Sequence, residues 1–146
     1  MTQEFTIIVD WLNISQNVKL WQRKRALYCI LHPTQDTLLY LGRAVRSTVR
    51  RRWNAADKHE RVWSRMADEL GLDKHRIIVG TFKKVAERRI SEEMISDVES
   101  LLIFRLRPLL NGQSTKTRGN YSRPGMTVHC TGAWPHRWKN YHDKAS

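Results

Sequence analysis

The chain has 146 residues, with 26 Lys or Arg against 14 Asp or Glu, a formal charge of +12 and a pI near 10.3. That length fits one domain of ordinary size, and 40% hydrophobic with 27% charged residues is the composition of a chain that buries a core rather than stays disordered. The surplus charge attracts polyanions, nucleic acid before an anionic membrane surface. Apolar runs such as Leu101-Leu102-Ile103-Phe104 fall far short of the roughly 18 residues that cross a bilayer, and Glu4 and Asp10 stand where a cationic leader would begin. The sequence therefore reads as soluble and cytoplasmic, with no membrane partner. Cys29 and Cys130 are too few for a disulfide framework and lack CxxC spacing, so two reduced thiols are expected.

Residues 1–24 form an N-terminal extension with two readings. Phe5-Thr6-Ile7-Ile8-Val9 suits a short strand, whereas Asp10 can cap a helix carrying Trp11, Leu12 and Ile14. Ala26–Leu31 and Leu38–Leu41 are short apolar runs around the turn-forming His32-Pro33-Thr34-Gln35-Asp36-Thr37, which predicts a β-hairpin. Symmetry about Thr34 sets Tyr28 opposite Tyr40 on one face.

After Gly42 the spacing becomes helical. Val45, Val49 and Trp53 recur every fourth residue as a buried stripe, and Arg43, Arg46 and Arg50 fall at i, i+3 and i+7 on the adjoining face. A second helix is predicted over Ala56 to Leu70, where His59, Val62, Trp63, Met66 and Leu70 share a face and Gly71 supplies the stop. Arg76–Phe82 reads as a third strand. Ser91 can cap a last helix, with Glu92 and Glu93 in its first turn and Pro108 beyond Arg107. The order β-β-α-α-β-α makes a mixed α/β (α+β) fold: a small mixed sheet with an antiparallel hairpin, flanked by helices.

Two features bear on chemistry. Glu99 falls inside the apolar arc of the last helix formed by Met94, Ile95, Val98, Leu101, Leu102 and Leu106. A carboxylate on a core-facing side is paired, neutralised or metal-bound, and the many arginines make an ion pair the ordinary outcome. Arg43, Arg46 and Arg50 directly follow the hairpin that carries the two tyrosines. Guanidinium groups fork onto phosphate oxygens, and adjacent cations favour a phenolate over a phenol that otherwise titrates near 10. One carboxylate with waters suits Mg²⁺. Together these make a phosphodiester-cleaving set.

These residues resemble the GIY-YIG nuclease superfamily over residues 25–111. Ala26-Leu27-Tyr28 resembles its GIY element and Tyr40-Leu41-Gly42 its YIG element. Arg50 stands ten residues after Tyr40, at the family's helix arginine, and Glu99 precedes Asn111 by twelve residues, as in its closing signature. The resemblance implies that Glu99 binds one divalent cation, Mg²⁺ or Mn²⁺. It implies too that Arg50 stabilises the phosphate and that Tyr28 and Tyr40 orient or deprotonate the attacking water, Tyr28 first. Arg43 stands where the family often has lysine and is expected to lower a tyrosine pKa. Gly42 is expected to permit close packing where the strand leaves for the helix, and Asn111 to pin the end of the last helix and shape the site. The chain departs from the pattern at Ala26, in place of the GIY glycine, and at Asn54, where many members carry a His or Tyr able to act as base. His59 has no matching place.

Residues 112–146 form a basic, aromatic tail with six Lys or Arg against one acid. Lys116, Arg118, Arg123, Arg137 and Lys139, with Arg46, are candidate nucleic-acid contacts, while the tail aromatics either complete the core or stack a base. A zinc site from His129, Cys130, His136 and His142 matches no recognisable spacing. The sequence thus leads to a divalent-metal-dependent endonuclease of a prokaryotic or phage-infected cell acting on DNA, duplex by preference, with a homodimer or protein partner supplying specificity. A non-catalytic nucleic-acid-binding module on the same fold and an RNA-directed nuclease are the alternatives.

Overall fold

A computed structural model of the chain describes residues 4–55, 62–83, 90–111 and 125–143. The elements in chain order are β1 (Phe5–Asn13), two short 3-10 helices (Ile14–Gln16 and Val18–Gln22), β2 (Ala26–Leu31), β3 (Leu38–Ala44), α1 (Val49–Trp53), α2 (Ser64–Leu70), β4 (Arg76–Phe82), α3 (Glu92–Leu106), β5 (Met126–Gly132) and β6 (Asn140–His142). The strands form one mixed sheet in the order β3-β2-β4-β1-β5-β6. Every described neighbour pair is antiparallel except β1 with β5. The fold is mixed α+β.

Residues 5–13 are one strand, and the helix that Asp10 would cap does not form. Ile7, Val9 and Trp11 alternate inward at 0% exposure, a period of two that carries the strand through Asp10. Residues 126–142, expected as a tail, supply two further strands. Met126, Val128 and Cys130 point into the core, and Thr127, His129 and Thr131 point outward. Cys130 and His129 thus face opposite sides of the sheet and do not share a metal site. Both cysteines are free, buried thiols.

The hairpin forms where it is predicted, in a different register. Tyr28 lies opposite Gly42 and Ile30 opposite Tyr40, two residues from the symmetric pairing, with an irregularity between Ile30 and Leu31. The cause is local: His32 Nδ1 accepts the Thr34 and Gln35 amides at 3.1 Å each, and the His32 amide donates to the Thr37 carbonyl. The turn therefore spends its residues on its own side rather than evenly about Thr34. A shift of two preserves the face. Tyr28 and Tyr40 remain diagonal neighbours, with ring centroids 6.2 Å apart.

The helix after Gly42 is a larger correction. Strand β3 continues through Arg43 and Ala44, which pair with Leu27 and Ala26, and α1 begins only after Thr48, whose hydroxyl accepts the Arg51 amide. Arg43 is therefore on a strand, Arg46 in the following bend and Arg50 on the helix, so the three do not share a helical face. Val45 precedes the helix, and only Val49 and Trp53 of the expected stripe belong to it. Of the second helix, residues 56–61, His59 among them, lie outside the described residues. Its remainder runs to Leu70 and stops at Gly71, whose φ of 63° suits a residue without a Cβ. Lys116, Arg118 and Arg123 are also outside the described residues.

Two faces of the sheet carry separate cores. One packs Leu27, Cys29, Trp11 and Cys130 against Ile95, Val98, Leu101 and Leu102 of α3. The other packs Ala26, Tyr28, Ala44 and Val79 against Leu20 and Val49. Strand β2 is buried at all six positions, which explains its unbroken apolar run. The sheet curls about α3, which packs on β3 at one edge and on β6 at the other. Burial pushes the Cys29 thiol up, and Cys130, three strands away in the sheet, is close enough across the curl to add to that.

The open edge of β3 is closed by the chain that follows α3. Arg107 ends the helix with a left-handed φ of 48°, the Leu110 amide donates to the Leu39 carbonyl, and Asn111 pairs with Leu41 through both ends of its amide at 2.9 Å. Replacing Asn111 with Ala strands the buried amide and carbonyl of Leu41, at about 1–3 kcal/mol for each unsatisfied group. Urea denaturation of Asn111→Ala is expected to show a loss of about 2–4 kcal/mol, and Asn111→Asp, which keeps the acceptor but sets an oxygen against the Leu41 carbonyl, is expected to fall well short of restoring it.

Candidate active site

The candidate residues meet at the edge of the sheet rather than on one face. By alternation along β3, Arg43 shares the α3 side with Leu41, whereas Tyr40 and Gly42 share the other side with Tyr28. An edge strand is where side chains from two faces can approach each other around the backbone.

Gly42 makes that approach possible. A Cβ built at this position would lie 2.7 Å from both Cζ and Oη of Tyr28 and 3.0 Å from Tyr40 Cε1. The Tyr28 ring therefore lies across the backbone of β3, in space that any other residue would fill. Trp53 of α1 holds it from above with centroids 6.0 Å apart, edge to face, and Trp21 packs on Trp53 in turn at 5.6 Å. Gly42 thus serves the close packing expected of it, although it lies within the strand and not at its exit.

Tyr28 is fully buried, and its hydroxyl has no well-formed hydrogen bond among the described residues. Burial is the first cause that drives its pKa far above the usual phenol value. The charges of Tyr40 and Glu99 push the same way and Arg52 opposes them. This reverses the expectation that neighbouring cations favour the phenolate. Arg43 is not the cation acting on this phenol, because its guanidinium is turned to α3. Tyr28 keeps its proton at neutral pH, so it is suited to donate a hydrogen bond and not to act as a base.

Glu99 is 7% exposed on the core-facing side of α3, and Arg43 Nη1 donates to its Oε1 at 3.0 Å and to Ser96 Oγ at 2.7 Å. The ordinary compensation for a buried carboxylate, an arginine, is therefore present. Among the described residues no three His, Cys, Asp or Glu side chains are grouped for a metal. What this site offers a cation is one hard carboxylate donor, which fits a hydrated Mg²⁺ better than Zn²⁺ and must be shared with Arg43.

The three consecutive arginines of α1 take different positions. Arg50 is exposed with its guanidinium 5.3 Å from the centre of the Trp21 ring. Arg52, three residues after the buried Val49, is half-buried and is the guanidinium that acts on Tyr28. Both line an open depression of about 570 Å³ together with Thr48 and Asn54. Sequence reading passes over Arg52 because the ten-residue spacing selects Arg50; the signal available is the i, i+3 relation of Arg52 to Val49. Arg46 forms a surface pair with Glu92, at 3.3 and 3.2 Å, one turn of α3 before the Ser96 that Arg43 binds. Asn111 ties the chain just beyond α3 to the strand, its side chain on Leu41 and its amide donating to the Pro108 carbonyl.

Tyr28 supplies a test that separates packing from chemistry. Its hydroxyl is buried with only a poorly aligned interaction with Tyr40, so Tyr28→Phe is expected to change stability at neutral pH by less than about 1 kcal/mol. In the unfolded chain the phenol ionises at about 10, while in the fold it stays protonated. The stability tied to this group is thus fully present below pH ~10 and is lost as pH rises further. Urea midpoints measured between neutral and alkaline pH are expected to fall more steeply for the wild type than for Tyr28→Phe; parallel curves would contradict the buried, protonated phenol.

Comparison of the chain with protein-family models, with curated proteins and with solved structures finds no match in any of them.

Proposed function

We propose that this protein is a divalent-metal-dependent endonuclease of the GIY-YIG type that hydrolyses DNA phosphodiester bonds. The observation that carries the reading is the convergence, at one sheet edge, of Tyr28, Tyr40, Gly42, Arg43 and Glu99, with Asn111 bonded to the strand between them. Their order along the chain is that of the resemblance, and a contact set drawn from β2, β3 and α3 is not something that sequence spacing alone produces.

The roles follow from the chemistry of each group. Arg50 and Arg52 line the depression at α1 with Thr48 and Asn54, so a phosphate seated there meets two positive charges, which oppose the charge that builds on its oxygens during cleavage. Tyr28, protonated, fully buried and rigidly packed, supports the Tyr40 ring beside it. Tyr40, half-buried, is the phenol open to water or phosphate. Glu99 is the metal ligand, and Mg²⁺ or Mn²⁺ bound there supplies Lewis-acid stabilisation and an acidified water. Arg43 holds the carboxylate in place through Oε1, and Ser96 fixes the guanidinium. With Tyr28 protonated and Asn54 unable to act as base, no side chain of this group is a strong proton acceptor at neutral pH, so activity is expected to rise with pH in the alkaline direction.

The second reading, a nucleic-acid-binding module without catalysis, is favoured by the Arg43–Glu99 pair, which satisfies the carboxylate without a metal. One experiment separates the readings. Supercoiled plasmid incubated with the purified chain and Mg²⁺ is expected to be nicked, with Glu99→Gln and Arg50→Ala lowering the rate at least about 100-fold and Tyr40→Phe lowering it. Cleavage by Glu99→Gln at the wild-type rate would remove the assigned site, and binding without nicks under any divalent metal would leave the module.

A further inference from the structure

At the opposite edge of the sheet, Trp138 is 69% exposed, the most open large aromatic among the described residues. An exposed indole on a loose loop would mean little, but this turn is tied down from four directions. The Ala133 amide donates to the Trp11 carbonyl at 2.8 Å and the Cys130 amide to the Lys139 carbonyl at 2.8 Å. The carbonyl of Trp138 itself accepts from Tyr141 Oη at 2.7 Å and from Trp134 Nε1 at 3.2 Å. Both donors are buried rings, and Trp134 packs on the fully buried Trp11 with centroids 5.0 Å apart. The core therefore fixes the backbone of residue 138 while its side chain projects into water. The exposed indole is thus held in place by the buried rings beneath it rather than carried on a free loop.

The surroundings indicate which partner. Arg137 and Lys139 flank the indole in sequence and are exposed. Arg105, from the last turn of α3, lines an open depression of about 210 Å³ with Trp138, Asn140 and His142, its guanidinium held by the His142 carbonyl at 2.8 Å. A flat aromatic face with one cation in its depression and two on the adjacent residues of the chain fits a base and its flanking phosphates. An unpaired base can lie on the ring, whereas a base inside a duplex has its faces covered. Six residues of α3, about 9 Å of helix rise, separate Arg105 from Glu99. A strand held here therefore lies alongside the helix that carries the candidate metal ligand.

We infer that Trp138, with Arg105, Arg137 and Lys139, forms a stacking site for an unpaired nucleotide, so that the chain engages nucleic acid with a single-stranded segment at the β6 edge of the sheet. This rests on the proposed reading only in taking nucleic acid as the partner, and it does not require cleavage. The test is binding of the full chain, in EDTA, to a fluorescein-labelled thymidine single strand and to a blunt duplex of equal length, followed by anisotropy. Trp138→Ala, checked by thermal unfolding, is expected to weaken single-strand binding about 10-fold while changing duplex binding less than about 2-fold, with Trp138→Phe between them. Lys139→Ala is expected to weaken both and to reduce the slope of log affinity against log salt. Unchanged single-strand binding by Trp138→Ala would overturn the inference, as would an equal loss on duplex. So would a Trp138-dependent fluorescence blue shift on phosphatidylglycerol vesicles with oligonucleotide binding unaffected, which would assign the surface to membrane. Because the assay scores no cleavage, its failure and that of the nuclease reading are distinguishable.

Discussion

The carboxylate of Glu99 sets the terms for the rest of this molecule. It sits in the apolar face of α3, where an unpaired charge is not tolerated, so the fold must deliver a cation to it. That cation comes from Arg43 on β3, at 3.0 Å, and the pairing draws the edge strand against the helix. Removing one partner of a deeply buried pair costs about 3–5 kcal/mol. With 43% of the Arg43 side chain open to water the cost here is smaller, since solvent screens the attraction. The pair ties α3 to the edge strand at a site that water reaches from the arginine side.

Holding the edge also means managing it. An unpaired strand edge invites another chain, and here Leu110 and Asn111 occupy it, the asparagine side chain standing in for a backbone amide. Among the described residues these bonds reach Leu39 and Leu41, and the next residue of the strand is Gly42. There the missing Cβ admits the Tyr28 ring across the strand, near enough for the Glu99 charge on the other face to act on its phenol. Ion pair, amide clamp and glycine gap act on consecutive residues 41, 42 and 43. The site is thus a property of a strand edge, and neither face alone could assemble it.

What could be read from the sequence follows from the range of the forces involved. The span of β4, the Ser91 cap of α3 and the burial of Glu99 are set by contacts within a few residues, and the period of the side chains carries them. The register of the hairpin depends on the hydrogen bonds of His32 with its own turn, and those leave no periodic trace. The late start of α1 depends on Arg43 and Ala44 finding partners in β2, which overrides a helical spacing of valines. Met126–Gly132 alternates inward and outward as a strand should, yet its aromatic and basic neighbours disguise it as a tail. The pull of cations on Tyr28 was legible in composition. Its outweighing by burial was not, because the depth of β2 depends on strands before and after it in the chain.

The charge of the chain looks different once its arginines have addresses. Arg43 is bound to Glu99, Arg46 to Glu92 and Arg65 to Glu69, while Arg76 ties down the β2–β3 turn through the carbonyls of His32 and Gln35. Pairing of this kind removes a cation from the far field without removing it from the count, so a formal charge of +12 overstates what a polyanion meets at close range. The arginines of α1 differ: Arg50 spreads over Trp21, and Arg52 stands against a neutral phenol. Among the described residues their charge is met by aromatic faces rather than by an acid. An anion approaching them displaces no described carboxylate, which makes the depression they line a cheaper place to bind an anion than a surface of equal charge held in ion pairs.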